Sequence, residues 1–239
     1  MSGAKIRVSS GPHGMMWCYN IKLQHPVGRY HELHRNLDIV KAVGVEVKNE
    51  TPFIFVSKED DEFASQFFAE KNMVKEKTVC IHPGASKSIR AWPADRYNEI
   101  AKRIVERFDL NVMITWGKGE FEWAQAVAKN GGGKIILAPE TKTVGRLSAL
   151  IKNCVMCITN CTGPMNVAIA VETPTIALLG STDPLDWSPY FEIHRTVKSP
   201  LVRETYTDEQ EQEAMEAISV EQVWNVVRDR ITEFNNQTP

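Results

Sequence analysis

The chain reads as an α/β protein, a Rossmann-like parallel sheet with helices on both faces. Three observations support this. From about residue 58, helical and strand-like segments alternate. The strand-like segments are short continuous apolar runs, as expected of strands buried on both faces. Turns rich in glycine and small polar residues follow them, where such sheets place their ligands.

Residues 1–57 are irregular. "AKIRVS" suits a strand, and "GPHGMMWCYNIKLQHPVG" reads as loop from its Gly and Pro content. "RYHELHRNLDIVKAVG" places Leu33, Leu37, Ile39, Val40 and Val43 at helical spacing and stops at Gly44. From residue 58, "KEDDEFASQFFAEKN" reads as helix and "KTVCIHPG" as strand and turn. "ADRYNEIAKRIVERF" and "NVMITWG" repeat the unit, as do "GEFEWAQAVAKNGGG" and "KIILAPE". "VGRLSALIKNC", "VMCITN", "GPMNVAIAVE" and "TPTIALLG" continue it. A Pro-containing loop then leads to a final helix, "SVEQVWNVVRDRITEF", whose Ser219 and Gln222 have capping-box spacing. The expected division is 1–57, an amino-terminal remnant with a connecting helix, and 58–239, the sheet domain.

The 239 residues carry 28 basic and 30 acidic side chains, a net charge of −2. No global positive field exists to attract nucleic acid. The first ten residues lack an apolar signal core, and no run of about 18 apolar residues occurs. The five irregularly spaced cysteines suit a reducing compartment. A cytoplasmic protein, peripheral at most to the inner membrane, is expected.

The turns after the strands carry the chemistry. In "IHPGASKSIRAW", Gly84, Ala85 and Ser86 permit close backbone approach, Ser86 and Ser88 supply hydroxyls, and Lys87 and Arg90 supply positive charge. That content suits a diphosphate and a solvated loop equally. In "TWGKGEFEW", Glu120 or Glu122 can take ribose hydroxyls or merely complement a helix dipole. In "TNCTGPMNVAIA", Thr162 suits a cap, Gly163 a close approach and Pro164 a first turn; exposed N–H groups there bind anions. In "GSTDPLDWSPY", Asp183 faces a ligand or its own backbone.

Cys154, Cys157 and Cys161 spell C-x2-C-x3-C. A metal is not expected: Cys154 and Cys157 flank a strand, where side chains three apart point to opposite faces, and no fourth ligand is evident. No G-x-G-x-x-G follows a strand, so no nicotinamide cofactor is expected.

Taken in order, these turns resemble the carboxyl-terminal domain of glycosyltransferase family 9, the ADP-heptose–lipopolysaccharide heptosyltransferases and their relatives. The resemblance covers roughly residues 26–235. It implies one half of a GT-B enzyme, in which two Rossmann-like domains face each other across a cleft. This half would hold a nucleotide-sugar donor, an ADP-sugar, with no cofactor or metal. The implied acceptor is a lipopolysaccharide or another glycan or glycolipid. Ser86 and Arg90 would contact the diphosphate, Glu122 or Glu120 the ribose, and Thr162 and Gly163 the phosphates. Arg90 stands where the family usually has Lys. Cys161 and Asn166 replace an Asp and a His that would contact sugar hydroxyls. Most of the family's amino-terminal domain has no counterpart, and no residue of 1–57 matches its base motif, so no catalytic residue is assigned. The resemblance implies a transferase, or else a non-catalytic nucleotide-sugar-binding chain completed by a partner chain or by self-association.

Overall fold

The computed structural model describes residues 3–10, 16–25, 30–188 and 191–237; the loop expected over residues 11–28 lies partly outside them. The strands are β1 (Val8–Ser10), β2 (Ile21–Leu23), β3 (Thr78–His82), β4 (Asn111–Ile114), β5 (Ile135–Leu137), β6 (Met156–Asn160), β7 (Thr175–Leu179) and β8 (Arg195–Lys198). The helices are α1 (Glu32–Lys41), α2 (Lys58–Glu70), α3 (Ala94–Phe108), α4 (Phe121–Ala128), α5 (Val144–Lys152), α6 (Gly163–Ala170), α7 (Pro184–Trp187), α8 (Asp208–Glu216) and α9 (Val220–Gln237).

The chain divides into two compact units, Met1–Thr51 with Thr182–Ser188, and Pro52–Ser181 with Pro189–Pro239. The boundary thus falls before Pro52 rather than after residue 57. The reason is packing: Ile54 and Val56 lie against the core beneath α2 and α5. In the smaller unit, β1 and β2 pair in parallel. His31 caps α1 by accepting the Leu33 N–H, and Arg35 bonds Asp186 at 3.0 Å. The amphipathic pattern of α1 buries no residue fully.

The larger unit holds a six-stranded, wholly parallel sheet in the order β5-β4-β3-β6-β7-β8. The chain steps outward from β3 to β5, then returns to lay β6 beside β3. The strand order reverses there, opening a crevice at the carboxyl ends of β3 and β6. The pleat explains the continuous apolar runs. Val79 and Ile81 of β3, Val112 and Ile114 of β4, and Met156 and Ile158 of β6 enter the core under α3, α4 and α9. Cys80, Met113 and Cys157, one residue out of phase, enter the opposite core under α2 and α5.

Several elements occupy what the sequence reads as loop. β8 is an edge strand with only Val197 buried, so it shows no apolar run. α8 carries a complete capping box between Thr207 and Gln210 but buries only Ala214 and Met215. β2, also read as loop, is three residues long. The Ser219–Gln222 capping box forms reciprocally, at 2.8 and 3.2 Å. The cysteine geometry also differs from expectation. Cys154 precedes β6 rather than flanking it in register, so it packs with Cys157 and Cys80 in one apolar cluster.

His194, just before β8, is buried; its Nδ1 accepts the Thr175 N–H at 3.2 Å and its Nε2 has no partner among the described residues. Burial, with the nearby Arg230 charge, pulls its pKa from 6.5 down to about 4. The unfolded chain therefore binds a proton in that interval that the native chain refuses. The stability carried by the neutral ring is complete above pH 6.5 and lost as pH falls through about 4. The thermal midpoint is expected to drop across this window. His194→Gln, whose amide oxygen still accepts from Thr175, should flatten that slope; an unchanged slope refutes the assignment.

Candidate functional site

The crevice at the switch point is a cavity of about 470 Å³, built wholly within the larger unit. Its walls are the turns after β3, β4 and β6, with Thr141 and Leu147 closing the β5 side.

One side chain assembles it. Asn160, the last residue of β6, is buried. Its Oδ1 accepts from the Trp92 N–H at 3.1 Å and the Tyr97 hydroxyl at 3.0 Å. Its Nδ2 donates to the Pro83 carbonyl at 2.8 Å and the Gly84 carbonyl at 3.1 Å. The amide's two donors and two acceptor positions are filled. Both ends of the 83–92 turn are thereby fixed to the neighbouring strand. Trp92 is fully buried behind the turn, its Nε1 donating to the Ile218 carbonyl at 2.9 Å.

Glu120 forms the acidic end. It accepts the Gly117 N–H at 2.6 Å, and its Oε2 lies 3.3 Å from Nε2 of the buried His82. The imidazole, then the Gly117 amide, hold the carboxyl below its ordinary pKa against the opposing pull of burial. The carboxylate lies flat against Gly84, where a Cβ would sit 2.2–2.4 Å from its atoms. Any side chain at position 84 would push this carboxylate out of its place. Trp116, donating to the Ala138 carbonyl at 2.8 Å, adds an aromatic wall near Leu147.

The opposite end is suited to anions. α6 starts at Gly163 with Pro164 in its first turn. The Thr162 side chain makes no cap bond; its hydroxyl turns back to the Asn160 carbonyl at 3.4 Å, contrary to the capping role the sequence suggests. The Thr162 and Gly163 amides, at the helix start, have no acceptor among the described residues. A Cβ on Gly163 would meet nothing within 4 Å, so the fold itself does not demand glycine there. Open amides at a helix start, beside an unfilled space, favour an anion. Arg90 lines the same end, with Nε and Nη2 on the Glu211 carboxylate at 2.7 and 2.5 Å. That pairing raises the guanidinium pKa and lowers the carboxyl's.

Of the sequence-designated residues, the cavity brings together Ser86, Arg90, Glu120, Cys161, Thr162 and Gly163. Lys87 turns outward to Asp208 at 3.7 Å. Glu122 and Asn166 are exposed and outside the lining. Asp183 belongs to the smaller unit, where it caps α7 by accepting the Leu185 N–H at 2.9 Å. Sequence reading missed Asn160, His82, Trp116 and Lys118. The first two end apolar runs as polar residues, a signal that was present. Lys118 forms no ion pair among the described residues. No group of three or more His, Cys, Asp or Glu among them is placed to hold a metal.

The family model described as glycosyltransferase family 9 (heptosyltransferase) matches residues 3–218. The match takes in residues 3–25, which the sequence resemblance had left out. Lipopolysaccharide heptosyltransferase 3 of Escherichia coli (strain K12) is 27% identical over 184 residues, 75% of this chain and 52% of that protein. Lipopolysaccharide heptosyltransferase 1 of Campylobacter coli is 29% identical over 129 residues, 51% of this chain and 37% of that protein. The chain thus spans about half the length, or less, of these curated relatives. The crystal structure of a family 9 glycosyl transferase from Veillonella parvula superposes with a TM-score of 0.79 at 22% identity, covering 96% of this chain and 68% of that one. E. coli ADP-heptose lps heptosyltransferase II gives 0.74 at 18% identity, covering 98% and 72%. These structural likenesses establish the shared fold.

Asn160→Asp is expected to destabilise the chain by about 3 kcal/mol, because a charged acceptor would then face the Pro83 and Gly84 carbonyls. Chemical denaturation checks this. A change under about 1 kcal/mol would mean that the turn is held elsewhere.

Proposed function

The chain belongs to glycosyltransferase family 9, and on that premise we propose that its larger unit holds the nucleotide-diphosphate end of an activated sugar donor. The reaction class is transfer of a heptose-like sugar from an ADP-sugar to a lipopolysaccharide or other glycan acceptor, with inversion. One observation carries the reading. A carboxylate suited to a diol and an anion-binding helix start line the same switch-point cavity. In this reading Glu120 takes the ribose hydroxyls. The Thr162 and Gly163 amides, with Arg90, Lys118 and Ser86, take the diphosphate. As the glycosyl bond breaks, charge develops on the departing diphosphate, and fixed donors there lower the barrier. Cys161, just before the helix start, borders the sugar; Asn166, outside the lining, would meet it only beyond the cavity. No residue is assigned as the base that deprotonates the acceptor. The proposed location is the cytoplasm, with peripheral contact at the inner membrane; no helix among the described residues is long and apolar enough to cross a membrane.

A second reading is a non-catalytic nucleotide-sugar-binding chain that works with a partner or a second copy. The smaller unit supports it. Its sheet is one parallel pair of three-residue strands, with Ile6 57% and Trp17 70% exposed. Parallel strands are normally covered on both faces.

Calorimetry with ADP, and with UDP, GDP and NAD as controls, tests the shared premise. ADP-selective binding is expected; binding of none withdraws the donor-site reading. Arg90→Ala should weaken ADP binding by about 1.5–3 kcal/mol, as for a lost charged hydrogen bond. Glu211, left unpaired beside the phosphates, acts in the same direction. Unchanged affinity would remove Arg90 from the diphosphate site.

A further inference from the structure

The acidic end of the cavity has a support that the donor reading leaves unused. Behind Glu120 stands His82, 3% exposed, and behind His82 stands Thr115, fully buried. His82 Nε2 is 3.3 Å from Glu120 Oε2, and its Nδ1 is 3.1 Å from Thr115 Oγ1. The Thr115 hydroxyl is also 3.4 Å from the Ile81 carbonyl. A Thr115 hydroxyl that donates into Nδ1 places the ring proton on Nε2, toward Glu120. That tautomer supplies the hydrogen that makes the His82–Glu120 contact attractive.

The geometry is restrictive on the other sides too. The Gly117 N–H holds the same oxygen, Oε2, at 2.6 Å, and the absence of a side chain at Gly84 gives the carboxylate its bed. Two donors on Oε2 leave Oε1 as the more available acceptor. A carboxylate locked in this way presents Oε1 as a fixed acceptor to the vicinal hydroxyls, without the ordering cost of a mobile glutamate.

Resting on the nucleotide-donor reading of this cavity, we infer that His82, anchored by Thr115, is a positioning residue that sets Glu120 for the ribose diol. It acts on the nucleotide through Glu120. Its contribution is felt only by nucleotides that carry the 2′- and 3′-hydroxyls.

The test compares ADP with 2′,3′-dideoxy-ADP by calorimetry on the full chain. For the wild-type chain the dideoxy nucleotide is expected to bind about tenfold more weakly, the size of a charged hydrogen bond. In His82→Ala this preference should fall to about twofold or less through loss of ADP affinity, with dideoxy affinity nearly unchanged. His82→Gln, whose amide nitrogen reaches toward Glu120, should restore much of the preference. Thr115→Val leaves the ring in place and removes its anchor, so it should lower the preference about threefold; it carries the test if His82→Ala does not fold. Equal proportional loss for both nucleotides in these variants would make His82 a structural residue and overturn the inference. So would an unchanged preference. A wild-type chain that binds neither nucleotide overturns the donor-site reading and this inference with it. A chain that binds ADP but shows no diol preference overturns the inference alone.

Discussion

Four hydrogen bonds converge on the Asn160 amide, and the candidate site depends on them. Asn160 ends β6 at the point where the strand order reverses. From there its donors hold the carbonyls of Pro83 and Gly84, and its oxygen holds Trp92 and Tyr97. A free 83–92 turn would carry backbone polar groups with no assigned partner next to an apolar core. The amide removes that cost and sets the position of Gly84. Gly84 in turn sets where Glu120 lies, because their approach leaves no room for a Cβ. One side chain in the strand thus fixes the 83–92 turn and, through Gly84, the place of Glu120.

Charge is organised around the cavity as well as within it. Two cations of the 83–92 turn, Lys87 and Arg90, face the acidic first turn of α8 through Asp208 and Glu211. The Lys87 pair is exposed and contributes little. The Arg90 pair is a fork against a mostly buried carboxylate, so it orients the guanidinium while leaving Nη1 unused in that pair. A lysine in this place could not form the same two-point contact. Arg90 thus has a local counterpart in Glu211. The opening of α6 adds positive potential at the anion end.

The sheet was legible because strands buried on both faces carry continuous apolar runs. β3, β4, β6 and β7 do so, with polar residues toward their ends; β8 does not, since an edge strand with one buried residue has no reason to look apolar. α8 was hidden for a similar reason: it buries two residues and owes its definition to a capping box. Loop composition drew attention to Ser86, Arg90, Glu120 and Gly163, which line the cavity. It also drew in Lys87, Glu122 and Asp183, whose side chains face solvent, α8 or their own helix. One-dimensional spacing cannot say which way a turn residue points. Asn160 and His82 were passed over as strand ends, although a polar residue closing an apolar run at a switch point must find partners in the crevice. The cysteine spacing misled in its geometry, because Cys154 lies in the turn before the strand begins.

The central claim is that one cavity reads both ends of a nucleoside diphosphate. The most direct test is a crystal structure of the chain with ADP bound. The account predicts the ribose diol on Glu120 and the diphosphate against the Thr162 and Gly163 amides and Arg90. ADP bound outside this cavity, or reversed within it with its phosphates at the Glu120 end, would contradict the account.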